Sequence, residues 1–140
     1  MTGQEIIERV KALNLPADSY VVFGSCPLAL AGIREAQDID LYVRPEVLER
    51  FIQAGWKQVD KGPGDKPHVS GVFEAHTTWG FSPYAPTLIQ PLQNADVFEG
   101  VAFASLKEVR KWKVASGGKK HEADVHLIDD YISKKHTNTP

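Results

Sequence analysis

Tyr20-Val21-Val22-Phe23-Gly24-Ser25-Cys26-Pro27, followed by Asp38-Ile39-Asp40-Leu41-Tyr42-Val43, is the stretch on which the fold reading turns. Its first four residues are rich in β-formers and stop at a glycine, as a short buried strand does. Ser25 stands where a helix N-cap would. Pro27 follows just inside the first turn, where its missing N–H costs nothing. The spacing predicts a short helix through Leu28 to Ala31, ended by Gly32. The second segment alternates strictly, with Ile39, Leu41 and Val43 on one face and Asp38, Asp40 and Tyr42 on the other.

Outward from this centre, Ile6, Ile7, Val10 and Leu13 repeat at helical spacing over about residues 3–13, and Pro16 closes that helix. Pro45 opens another helix whose apolar face is Val47, Leu48, Phe51 and Ile52. Residues 56–59 read as a strand and 61–67 as a turn rich in glycine, proline and charge. Val69 to Thr78 reads as one strand, residues 84–94 as prolines around a short helix, and Val97 to Ala104 as another strand. Ser105 is placed as an N-cap, with Glu108 completing a capping box. Gly117-Gly118 ends that helix, and a last one carries Ala123, Val125, Leu127, Ile128 and Tyr131. The order predicts an α/β (α+β) fold, a mixed sheet with helices packed against it. One domain is expected over 1–133, with a flexible tail over 134–140.

The chemistry lies in the alternating strand and in the turn before it. Aspartates at i and i+2 point the same way, with α-carbons about 6–7 Å apart. Such a pair suits Mg²⁺, which takes a few carboxylates and completes its shell with water and substrate phosphates. Taken alone, Asp-Ile-Asp is also how an ordinary half-solvated strand looks. Gly24-Ser25 shifts the balance, because a strand feeding a helix through Gly-Ser offers backbone N–H groups and a hydroxyl to a phosphate.

Gly24-Ser25, Gly32, Arg34 and Asp38-Ile39-Asp40-Leu41 together resemble the signature of the polymerase-beta-like nucleotidyltransferase superfamily. The resemblance spans about residues 20–132 and implies a Gly-Ser that holds a triphosphate and aspartates that bind Mg²⁺ or Mn²⁺. It also implies a third carboxylate from a later strand, acting as metal ligand and as base on the attacking hydroxyl. Glu74 is the first choice and Asp96 the second, with His76 on Glu74's strand face as a partner or a plain structural residue. Lys113 and Lys120 resemble the lysines of the family's C-terminal helices, candidates for phosphate contact. Asp124 fits the start of the last helix, where it favours the dipole. One departure is Cys26-Pro27, where the family usually has a basic residue after Gly-Ser.

The implied activity is transfer of a nucleoside monophosphate from an NTP to a hydroxyl of an acceptor: a small molecule, RNA or a protein. The alternative is a nucleotide-binding or regulatory module with weak catalysis, or half of a toxin–antitoxin pair. The short chain points to a homodimer or a partner protein that completes the cleft, with Trp79, Phe81 and Tyr84 as a contact surface. Bulk properties agree with this reading. The 140 residues suit one domain, and 42% hydrophobic residues suffice for a core. A net charge of −2 gives no global attraction for nucleic acid, while a local basic patch leaves that partner open. A single cysteine rules out an internal disulfide and fits the cytoplasm. No apolar run approaches the roughly 20 residues of a membrane span.

Overall fold

The computed structural model describes residues 1–80 and 83–137. Its elements run α1 (Gly3–Lys11), β1 (Tyr20–Phe23), α2 (Cys26–Leu30), β2 (Ile39–Val43), α3 (Pro45–Gln53), β3 (Lys57–Gln58), β4 (His68–Ser70) and β5 (Phe73–His76). They continue with α4 (Ile89–Gln93), β6 (Asp96–Phe98), β7 (Val101–Phe103), α5 (Leu106–Ser116) and α6 (Lys119–Thr137). The strands form one seven-stranded mixed sheet in the order β3-β4-β5-β2-β1-β7-β6. β1 lies antiparallel to β2 and parallel to β7, while β2 is parallel to β5.

β1 is buried along its whole length because both of its faces are covered. Tyr20 and Val22 join Ile39, Leu41 and Val43 in a core with Ile6, Ile7 and Val10 of α1 and Val47 and Phe51 of α3. Val21 and Phe23 point the other way and join Tyr42, Trp79, Val109 of α5 and Ile128 of α6. Each such large side chain contributes about 1.5–3 kcal/mol when fully buried. Alternation therefore sends the odd-numbered residues of β2 into the first core and Asp40 and Tyr42 toward the second.

Two stretches expected as single strands are hairpins. Between Val69 and Thr78 the chain turns at Gly71-Val72, pairing Ser70 with Phe73. Between Val97 and Ala104 it turns at Glu99-Gly100, where both residues have positive φ, 51° and 81°, as a tight two-residue hairpin turn requires. A glutamate at φ > 0 carries no turn signal in sequence, which is why the second turn was hidden. The Glu108 capping box is half made: Ser105 Oγ accepts from the Glu108 N–H, but the Glu108 carboxylate instead accepts from Tyr84 OH at 2.5 Å. Among the described residues of α6 the buried positions are Asp124 and Ile128, one turn apart, whereas Leu127 is exposed. The helix continues to Thr137, so residues 134–137 of the expected tail are helical, and 138–140 lie outside the described residues.

Candidate active site

Gly24 ends β1 with φ +69°, and a Cβ there would come within 2.2 Å of Asp40 Oδ2. Only glycine lets the Asp40 carboxylate close onto this turn. Ser25 follows with helical dihedrals, φ −87° and ψ −8°, and makes no side-chain cap. The expected capping role fails because a capping residue needs extended dihedrals. Instead the Ser25 hydroxyl accepts a 2.8 Å hydrogen bond from Arg34 Nη2. Cys26 is fully buried and donates from Sγ to the Asp38 carbonyl at 3.3 Å, tying the turn to the start of β2. Burial first, and then the charge of Asp40, push its thiol far up, so it stays protonated.

Arg34 continues the network. Its Nε and Nη2 donate to Asp124 at 2.9 and 2.7 Å, a two-pronged pair between the turn region and α6. Lys113, only 2% exposed, places Nζ 2.8 Å from the same carboxylate, 3.3 Å from His121 Nδ1 and 4.7 Å from the Trp112 ring centroid. Burial opposes ionisation of Asp124, yet the hydrogen bonds from Arg34 and Lys113 prevail and bring its pKa down to about 2. Burial lowers the Lys113 pKa despite that partner, and burial together with the Lys113 charge lowers that of His121. Asp124 is therefore the buried anchor for two cations, more than a dipole partner. Its one-turn spacing from Ile128 is the sequence signal that could have marked it as inward-facing.

Gly24, Ser25, Arg34, Asp38, Asp40, Lys113 and Lys120 all line one cavity of about 270 Å³. A second cavity of about 210 Å³ is lined by Asp40, Glu74, His76, Trp79, Trp112 and the Gly64-Asp65 loop. Asp40 and Trp112 belong to both, so the two cavities meet there.

Glu74 faces Asp40 directly across the parallel β2–β5 pair and is buried. Its carboxylate is held by Lys61 from the β3–β4 loop, a residue the sequence reading placed only in a turn. That hydrogen bond, opposed by burial, raises the Lys61 pKa. His76, two residues further along β5, has Nε2 3.4 Å from Asp40 Oδ1. Asp96 sits exposed on edge strand β6, separated from β2 by β1 and β7. Among the described residues no three His, Cys, Asp or Glu side chains form a group that could hold a metal ion. Asp38 is exposed at the rim, and with Asp40 it supplies hard oxygen donors beside a cationic cavity.

The aromatic contact surface is not present as expected. Trp79 is 9% exposed and stacks on Phe23 with centroids 4.8 Å apart. The Tyr84 hydroxyl is taken by Glu108, and Phe81 lies outside the described residues.

No family model matches the chain, and no curated protein matches it in sequence. Among solved structures it is similar to the aminoglycoside nucleotidyltransferase ANT(2″)-Ia, crystallised in complex with adenylyl-2″-tobramycin. The match has a TM-score of 0.54 at 14% identity and covers 94% of this chain and 88% of that one. The fold is nucleotidyltransferase-like. No described helix is long and apolar enough to cross a membrane.

Proposed function

We propose that the protein transfers a nucleoside monophosphate from an NTP to an acceptor hydroxyl, in the cytoplasm. One observation carries this reading: a cation-lined cavity and a carboxylate-lined cavity meet at Asp40, on a fold of the nucleotidyltransferase type. In it, Arg34, Lys113 and Lys120 grip the β- and γ-phosphates, with the Gly24 backbone and the Ser25 hydroxyl beside them. Asp124 holds two of these cations in place, so they meet the substrate already oriented. Asp38 and Asp40 would hold Mg²⁺ or Mn²⁺, whose fit rests on two hard carboxylates facing a phosphate site. When bound, that ion neutralises charge on the α-phosphate.

The acceptor oxygen attacks the α-phosphorus, and the new P–O bond forms as the bond to the β-phosphate oxygen breaks. Pyrophosphate departs in line with the electron pair. The acceptor proton passes to the Glu74 carboxylate, which Lys61 keeps oriented beside Asp40. A second reading, a nucleotide-binding module without transfer, is favoured by one feature: Lys61 already occupies Glu74. Incubation with each α-labelled NTP, Mg²⁺ or Mn²⁺, and small-molecule, RNA and protein acceptors separates the two. The transfer reading expects label on one acceptor class, lost in Asp38→Ala/Asp40→Ala. Absence of transfer alongside intact NTP binding favours the module, and label that survives the double substitution removes the metal assignment.

A further inference from the structure

His121 lines the cation-walled cavity, yet gripping a triphosphate with Arg34, Lys113 and Lys120 leaves it unused. Its surroundings fix which ring nitrogen carries the proton. Lys113, buried in the wall, sets Nζ 2.8 Å from Asp124 Oδ2 and 3.3 Å from His121 Nδ1. An ammonium has three donors and no acceptor, so Nδ1 accepts and carries no proton. A neutral imidazole then keeps its one proton on Nε2. An imidazolium would instead set two like charges against each other across that 3.3 Å contact. Burial and the Lys113 charge, opposed by Asp124, lower the His121 pKa and keep the ring neutral at neutral pH. The Trp112 ring packs against His121 at 64°, with centroids 5.1 Å apart, and hinders its rotation. Nε2 has no hydrogen-bond partner among the described residues, and it is the ring nitrogen left to meet a ligand in the cavity.

We propose that His121 is a catalytic residue that donates a hydrogen bond from Nε2 to the departing pyrophosphate, as a neutral donor whose tautomer Lys113 sets. The inference rests on the transfer reading above and adds a residue to it. As the bond between the α-phosphorus and the bridging oxygen breaks, that oxygen keeps the electron pair and its negative charge grows. An N–H held ready for that charge stabilises the transition state more than it stabilises the bound NTP. The proton stays on Nε2 throughout, since losing it would leave an imidazolate. A fourth cation at this place would also hold the product back, whereas a neutral N–H adds direction without adding charge. Lys113 thus charges the cavity and positions His121, and Asp124 orders both through it.

The test uses the full chain, ¹⁵N-labelled, at neutral pH with Mg²⁺ and with inorganic pyrophosphate as the probe. Long-range ¹H–¹⁵N spectra report the tautomer of each histidine, with His121 assigned through His121→Gln. The expected free state has Nδ1 bare and Nε2 protonated, a pattern that Lys113→Met relaxes toward a mixture. Added pyrophosphate shifts Nε2 and leaves Nδ1 near its free position. His121→Phe weakens pyrophosphate binding at least about tenfold, the scale of one hydrogen bond to a charged group. His121→Gln keeps a neutral N–H donor and recovers most of that loss, with the folding of each variant checked by circular dichroism. A proton on Nδ1 in the free protein overturns the proposal, as does a tautomer that Lys113→Met leaves unchanged. So does an Nε2 signal unmoved by bound pyrophosphate, His121→Phe binding as tightly as wild type, or His121→Gln binding no better than His121→Phe. Each of these removes the His121 assignment alone. Pyrophosphate that shifts no signal of the wild-type protein removes the transfer reading, and the assignment with it.

Discussion

At Gly24 a single hydrogen decides whether Asp40 keeps its position. Gly24→Ala places a methyl on the Asp40 carboxylate and puts an L-residue at φ +69°. The left-handed conformation alone costs about 1–2 kcal/mol. Urea unfolding is expected to show at least that loss, with weakened Mn²⁺ binding beside it. His121 offers a test by titration. Burial and the nearby Lys113 charge lower its pKa below the ordinary 6.5, so the folded state binds its proton less readily than the unfolded chain does. Its stability contribution is whole above 6.5 and falls as pH drops through that value toward the lowered folded pKa. An NMR titration should give a midpoint below 6.5, and His121→Asn should flatten the pH dependence of stability in that window. Gly24 and Asp40 were legible from their motif. Lys61 was not, because a lysine in a Gly/Pro-rich loop has no spacing that points to a buried glutamate.

Among the elements, α6 meets the cation-lined cavity through Asp124, with His121 and Lys120 beside it. Asp124 carries both Arg34 and Lys113, and removing a buried ion-pair partner typically costs about 3–5 kcal/mol. Asp124→Ala should lose an amount of that order in denaturant unfolding and loosen NTP binding through the two freed cations. Because its pKa falls from 3.8 to about 2, its stability contribution is present above 3.8 and disappears as pH falls toward 2. Acid unfolding followed by circular dichroism should show wild type losing its advantage over Asp124→Asn across that interval. At the start of α5, Ser105→Ala removes the one cap bond made and should cost about 1 kcal/mol. Elements with a clear period, α1, β1, β2 and α3, could be read directly. The two hairpins could not, since each looks like one continuous β-rich run until tertiary pairing folds it. In α6 the helix and Ile128 could be read, but Asp124 one turn before it could not, because apolar periodicity looks past an aspartate.

For the whole molecule, sheet order does what sequence order conceals. It brings Glu74 from a later strand beside Asp40 and sends Asp96 to the far edge. It also sets α5 and α6 against the open end of β1, so that Arg34, Lys113 and Lys120 share a cavity with the aspartates. The most direct measurement is Mn²⁺ electron paramagnetic resonance on the full chain, titrated with each NTP in turn. It compares wild type with Asp38→Asn and Asp40→Asn variants shown to be folded by circular dichroism. The account predicts a protein-bound Mn²⁺–NTP complex in wild type that both substitutions abolish. Bound Mn²⁺–NTP of equal strength in all three proteins, or none in wild type, would contradict it.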